Sequence, residues 1–79
     1  MDDIAVSLRK ILVEEMGIDY SDITDDATLA YGLDLDSIEM VDLANRIEMT
    51  FNIEIPDSAV QANMTVGQVA DKIRELKGA

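Results

Sequence analysis

Hydrophobic positions along the 79-residue chain recur mostly at helical spacing. Near the N-terminus they fall on one arc of a helical wheel, and the run stops at Gly17, the kind of residue that commonly ends a helix. Two further runs follow, one after Asp36 and one after Thr65. The pattern predicts three main helices, which run from Asp2 or Asp3 to Met16, from Ser37 to Thr50 or Phe51, and from Val66 to Leu76.

Residues 18–35 lack helical spacing and predict a long loop between the first and second helices. Such a loop is unusual inside a compact domain, so we expect its spaced apolar side chains to pin it to the helices. After the second helix, Pro56 and Asp57 predict a short helix over Ser58–Ala62, capped by Asp57. The expected fold is all-α, a small four-helix bundle of three main helices and one short helix, in a single domain covering residues 1–79.

Two helix starts carry capping-box spacing, Asp36 with Glu39 and Thr65 with Gln68. Ser37 therefore lies in the first turn of the second helix, beside unpaired backbone N–H groups and the positive end of the helix dipole. Such an end can receive a phosphate-bearing group. The spacing alone favours an ordinary polar residue near a helix start, because capped helix starts are common.

Composition excludes several kinds of chemistry. The chain has no cysteine and no histidine, which removes thiolate metal sites and the commonest general base. An EF-hand loop starting at Asp22 would have Ala27 in place of glycine and Leu33 in place of the closing glutamate. No apolar run reaches the ~20 residues that span a bilayer, and the N-terminus is acidic, unlike a signal peptide. We therefore expect a cytoplasmic protein that is neither an enzyme nor a metal binder.

The charge is strongly acidic, with 17 Asp and Glu against six Lys and Arg, a net −11. Between Ile11 and Asn45 there are ten acidic residues and no Lys or Arg. Such a surface repels nucleic acid and anionic lipid and attracts basic protein surfaces. The alternative is a surface that serves only to keep the protein in solution.

The outward arc of the second helix mixes acids with apolar side chains, which indicates a docking surface or, alternatively, scattered exposed residues. We define the docking face by these six residues: Ile38, Val41, Asp42, Asn45, Glu48 and Met49.

The segment Asp36-Ser37-Ile38, followed by Val41-Asp42-Leu43, by residues 51–57 (FNIEIPD) and by residues 65–67 (TVG), resembles the acyl carrier proteins of the phosphopantetheine-binding family. The resemblance implies that Ser37, beside Asp36, carries a 4′-phosphopantetheine group installed from coenzyme A by a separate phosphopantetheinyl transferase. It implies a monomer that carries an acyl thioester for fatty acid or polyketide-type synthesis. It further implies that the docking face meets acyltransferases, ketosynthases and other acyl-processing enzymes.

The same resemblance implies that an acyl chain can fold back between the helices. The residues that would line this space are Leu43, Ile47, Phe51, Ile55 and Val60. Ordinary core packing would account for the same residues.

Departures from the family pattern leave the pathway open. The common order Asp-Leu-Gly-x-Asp-Ser-Leu becomes Gly32-Leu33-Asp34-Leu35-Asp36-Ser37-Ile38, so glycine and aspartate exchange places. Asn45 replaces an apolar residue, and Met49 replaces an acid. These changes favour a dedicated pathway carrier. A peptidyl or aminoacyl carrier of nonribosomal synthesis, and an unmodified acidic interaction module, remain alternatives.

Overall fold

A computed structural model describes residues 3–56 and 58–78 and confirms an all-α fold. Helix α1 begins as Asp3–Lys10 and continues directly into a π-helical turn, Ile11–Glu15. Helix α2 is Ser37–Phe51 and helix α3 is Val66–Gly78. A single 3-10 turn, Tyr20–Asp22, lies between α1 and α2.

The start of α1 and its glycine stop agree with the sequence, but its last turn does not. The N–H of Met16 donates to the carbonyl of Ile11 at 3.1 Å, an i to i−5 bond that widens the helix by one residue. Gly17 then takes φ +73°, the left-handed conformation that a glycine adopts without steric cost.

The fourth, short helix is not confirmed in the part of the chain that the structure describes. Residues 58–63 form separate turns, in which the N–H of Ala59 bonds to the carbonyl of Pro56 and the N–H of Met64 to that of Gln61. Five residues are too few to hold a helix without strong tertiary support. The predicted cap, Asp57, lies outside the described residues. The observed architecture is therefore a bundle of three helices with two irregular connections.

The connection between α1 and α2 is not structureless, because it is hydrogen-bonded to the approach to α3. The N–H groups of Leu29 and Ala30 donate to the carbonyls of Met64 and Ala62, both at 3.0 Å. In the opposite direction, Val66 and Gly67 donate to Ala27 and Asp25, both at 2.9 Å. An isolated antiparallel bridge joins Thr28 and Thr65. These bonds satisfy backbone groups that the loop would otherwise leave unpaired.

The core lies between the three helices and is closed by the anchors of this connection. The anchors Ile23, Leu29, Leu33 and Leu35 are buried, as expected, and Ile18 packs against them while partly exposed. From the helices, the fully buried side chains are Leu8, Ile11, Leu12, Leu43, Ile47, Val66, Val69 and Ile73. Leu33 and Leu35, on either side of Asp34, are both buried. They hold the chain in place, so that it reaches the start of α2 at a defined position.

None of the helices in residues 3–56 and 58–78 is long and apolar enough to cross a membrane.

Candidate functional site

Ser37 is the first residue of α2, and its side chain is exposed. The predicted capping box is present in both directions. The carboxylate of Asp36 accepts from the N–H of Glu39 at 2.8 Å, and the Glu39 carboxylate accepts from the N–H of Asp36 at 3.1 Å. Because Asp36 and Glu39 bond to each other on either side of Ser37, the backbone at Ser37 is held in place while its side chain remains exposed.

The backbone N–H groups at this end are only partly used. Those of Glu39 and Met40 bond to Asp36, the second to its carbonyl at 2.9 Å. For Ser37 and Ile38 no hydrogen-bond acceptor of the N–H group occurs within the described ranges, as expected for the first turn of a helix. The helix end therefore combines a free hydroxyl, two available donors and the positive end of the dipole.

The exchange of glycine and aspartate before Ser37 has a structural explanation. Asp34 takes φ +56°, so an aspartate here occupies the left-handed conformation where the family pattern has glycine. Gly32, in contrast, packs closely: a Cβ atom there would come within 2.8 Å of the Thr28 nitrogen and 2.9 Å of the Ala27 Cβ. Its N–H also donates to the Thr28 hydroxyl at 3.1 Å. Position 34 thus requires a residue that tolerates positive φ, and position 32 requires a residue without a Cβ atom.

The docking face contains three large apolar side chains that are well exposed. Ile38, Val41 and Met49 are 78%, 63% and 84% exposed, whereas the inward residues Leu43 and Ile47 are fully buried. Asn45 is also exposed. The structure therefore brings the predicted residues to one side of α2, with a buried side opposite.

The two acids of this face are each engaged within the chain. Asp42 accepts from the Arg46 Nε at 3.0 Å, and Arg46 also donates to Glu15 at 3.0 Å, which ties α2 to the end of α1. These two carboxylates, Glu15 first, raise the pKa of the Arg46 guanidinium. Glu48 accepts from the backbone N–H of Ile55 at 2.8 Å. Sequence reasoning identified both acids as surface charges but not these bonds.

A groove of about 330 Å³ lies between α2 and the segment after it. Its apolar lining comes from Met40 and Ala44 on one side and from Ile55, Pro56 and Val60 on the other. It adjoins the docking face, since Val41, Asn45 and Glu48 also border it. Met40 and Ala44 were expected in the buried arc, but they are only half-buried. They therefore form a wall of the groove rather than part of the core.

The family model of the phosphopantetheine attachment site matches residues 6–73. The chain belongs to this family. The match extends from within α1 to within α3 and includes Ser37, the docking face and the groove. Domains of this family are the attachment site of a covalently bound 4′-phosphopantetheine group and generally act as carriers rather than catalysts. A carrier domain of this kind requires a phosphopantetheinyl transferase and enzymes that process the carried group.

In this phosphopantetheine carrier, the residues predicted to line an acyl cavity are buried to two different extents. Ile55 and Val60 are half-buried and line the groove. Leu43, Ile47 and Phe51 are buried in the core cluster. Among the described residues, no group of three or more Asp or Glu side chains is arranged to hold a metal ion.

Sequence reasoning passed over two exposed aromatic residues of the carrier, Tyr20 and Tyr31. Tyr31 is 85% exposed, in the loop that leads to Ser37. A tyrosine between alanine and glycine in an acidic loop gives no periodic signal, so only the coordinates reveal its exposure.

Proposed function

We propose that this chain is an acyl carrier protein, a single acyl-carrier domain over residues 1–79, in which the Ser37 hydroxyl carries the 4′-phosphopantetheine group. The observation that supports Ser37 most directly is its exposed hydroxyl at the first residue of α2, between the two ends of a complete capping box. Asp36 acts as the positioning residue, since its carboxylate and carbonyl hold the N–H groups of Glu39 and Met40.

The helix end also fits a phosphodiester. The N–H groups of Ser37 and Ile38 lie in the first turn, where the helix dipole favours an anion. Attachment joins the Ser37 oxygen to the phosphorus of coenzyme A that bears the pantetheine and breaks the pyrophosphate bond, releasing adenosine 3′,5′-bisphosphate. The chain has no histidine, and no Lys or Arg lies between Ile11 and Asn45. We therefore expect the transferase to supply the base that takes the hydroxyl proton.

When bound, the group supplies the thiol that holds an acyl chain as a thioester. The residues of this chain then have two tasks, to present that chain to partner enzymes and to shield it. We assign the first task to the docking face, with Asp36 and Ser37 at its edge. We assign the second to the groove lined by Ile55 and Val60, with Leu43, Ile47 and Phe51 beneath it.

The expected partners carry basic docking surfaces, because the stretch between Ile11 and Asn45 has ten acidic residues and no Lys or Arg. They include the phosphopantetheinyl transferase and the acyltransferase, ketosynthase and other acyl-processing enzymes of fatty acid or polyketide-type synthesis. Asp34 in a left-handed conformation and the exposed Asn45 and Met49 change the surface that these partners meet. This supports a dedicated pathway carrier.

Intact mass spectrometry tests the attachment site. The protein is incubated with coenzyme A and a broad-specificity phosphopantetheinyl transferase, alongside the variants Ser37→Ala and Ser58→Ala. Ser58 is a matched control, since it is also exposed and lies away from the helix start. One added phosphopantetheinyl group is expected on the wild type and on Ser58→Ala, and none on Ser37→Ala. Addition that persists in Ser37→Ala would refute the assignment of Ser37.

A second experiment separates the carrier types. The modified protein is offered malonyl coenzyme A with an acyltransferase, or amino acids with ATP and an adenylating enzyme. Acyl loading alone is the expected result, and aminoacyl loading alone would identify a peptidyl carrier instead.

A further inference from the structure

Glu48 makes contacts that a purely surface acid would not make. Its backbone carbonyl accepts from the N–H groups of Asn52 and Ile53, the second at 3.3 Å. Its side-chain carboxylate accepts from the N–H of Ile55 at 2.8 Å. Asn52 takes the left-handed conformation that ends α2, with φ +55°, and this turns the chain back toward Glu48. One residue of α2 therefore accepts hydrogen bonds from three backbone N–H groups that follow it, those of Asn52, Ile53 and Ile55.

The side-chain bond determines where one wall of the groove lies. Ile55, Pro56 and Val60 form the wall opposite Met40 and Ala44. The hydrogen bonds next in sequence are local, from Ala59 to Pro56 and from the Gln61 side chain to Ser58. They stabilise the turns but do not join this segment to α2. The bond between Glu48 and Ile55 does join them, and it lies at the border of the groove.

Glu48 is at the same time part of the docking face and only half-buried, so a cation of a partner can reach it. A carboxylate oxygen that binds a lysine or arginine at close range competes with a backbone N–H for the same lone pairs. The docking of a basic surface and the bond to Ile55 thus compete for one group.

We propose that Glu48 is a latch: a basic side chain of a docked enzyme draws its carboxylate away from the Ile55 N–H, and the released segment widens the groove beside α2. The inference rests on the proposed carrier function, in which the groove shelters the acyl chain. Glu48 acts through Ile55 and is a positioning residue. Its role is to make opening of the groove depend on the presence of a partner, because a ligand shifts a conformational equilibrium only by binding one state better than the other.

The first test measures amide hydrogen exchange of Ile55 by NMR in the protein without partner. Glu48→Ala is expected to raise that exchange rate about five-fold, the equivalent of about 1 kcal/mol for one net hydrogen bond. Glu48→Gln keeps an acceptor oxygen and should retain most of the protection. Glu54→Gln is the matched control, an exposed acid near the same turn, and should leave the rate unchanged. Far-UV circular dichroism checks that each variant is folded.

The second test adds the phosphopantetheinyl transferase to Ser37→Ala, which can bind but cannot be modified. Binding is expected to speed Ile55 exchange in this protein and to cause no further change in Ser37→Ala/Glu48→Ala. An Ile55 amide that is equally protected with and without transferase, or unaffected by Glu48→Ala, would overturn the latch. This outcome differs from failure of the carrier proposal, which would appear as absent modification of the wild type in the mass experiment.

Discussion

Substituting Gly32 by alanine tests whether the loop before Ser37 is packed as tightly as the structure indicates. The added Cβ would lie 2.8 Å from the Thr28 nitrogen, 2.9 Å from the Ala27 Cβ and 3.0 Å from the Ala27 Cα. Carbon atoms prefer about 3.5–4.0 Å, and two of these three neighbours are backbone atoms that no side-chain rotation can move.

The magnitude follows from two opposing terms. Overpacking of this kind typically costs about 1–3 kcal/mol, while replacing glycine by alanine stabilises by about 0.4–1 kcal/mol because the unfolded chain loses freedom. The free energy of unfolding of Gly32→Ala should therefore fall by about 1–2 kcal/mol. For a domain of this size, that corresponds to a melting temperature lower by roughly 5–15 °C.

Thermal unfolding followed by far-UV circular dichroism measures this shift, and two other glycines provide controls. A Cβ at Gly78 meets nothing within 4 Å, so Gly78→Ala should melt at or slightly above the wild-type temperature. Gly17 is equally uncrowded but has φ +73°, so Gly17→Ala should lose only the roughly 1 kcal/mol of a left-handed alanine. If Gly32→Ala melted like Gly78→Ala, the close packing of this loop would be refuted.

Three further predictions concern capping and charge. Asp36→Ala should lower the free energy of unfolding by about 1 kcal/mol in urea titrations, whereas Asp36→Asn, which can still cap, should not; equal losses would argue against the capping box. Added salt, or a millimolar divalent cation, should raise the melting temperature because the chain carries a net −11, and a flat response would contradict this. The backbone N–H and hydroxyl of Ser21 donate to Asp19 and lower its pKa. The stability that these two bonds give the folded protein is therefore present above the unfolded-state pKa of Asp19 and is lost as pH falls through its folded-state pKa. Asp19→Ala should thus lower the melting temperature near neutral pH but not in strong acid, and an equal loss at both would exclude this linkage.

The sequence was sufficient where local rules decide the structure. The capping boxes at Asp36 and Thr65 could be predicted because each needs only two residues three positions apart, and both are present. The end of α1 at Gly17 followed from glycine's tolerance of positive φ. The buried arc of α2 could be predicted for Leu43 and Ile47 because helical periodicity fixes which side faces the core.

It was insufficient where contacts depend on how distant parts meet. The π-helical turn of α1 includes the bond from the Met16 N–H to the Ile11 carbonyl, for which the periodic pattern gives no sign. The bond from the Ile55 N–H to the Glu48 carboxylate depends on Asn52, which turns the chain back. Met40 counted as a core residue on the wheel, yet it lines a groove because the segment opposite forms turns rather than a helix. The role proposed for Ser37 rests on family resemblance, since its geometry alone would fit many helix starts.

Lys77, in the last turn of α3, contacts the C-terminal end of α2. The Lys77 ammonium lies 5.9 Å from the centre of the Phe51 ring and 3.5 Å from the Phe51 carbonyl oxygen. A cation at this place is attracted both by the face of the aromatic ring and by the negative end of the dipole of α2.

The cross-links between residues 25–30 and 62–67 have a mechanical consequence. They brace the side of the molecule that leads to Ser37, whereas residues 53–60 are joined to α2 by apolar packing, by the turn at Asn52 and by the Glu48 carboxylate. Under the proposed function, the groove can therefore loosen while Ser37 keeps its position. If Ser37 carries the group as proposed, an enzyme docked at this helix end would find it in the same place whether the groove is open or closed.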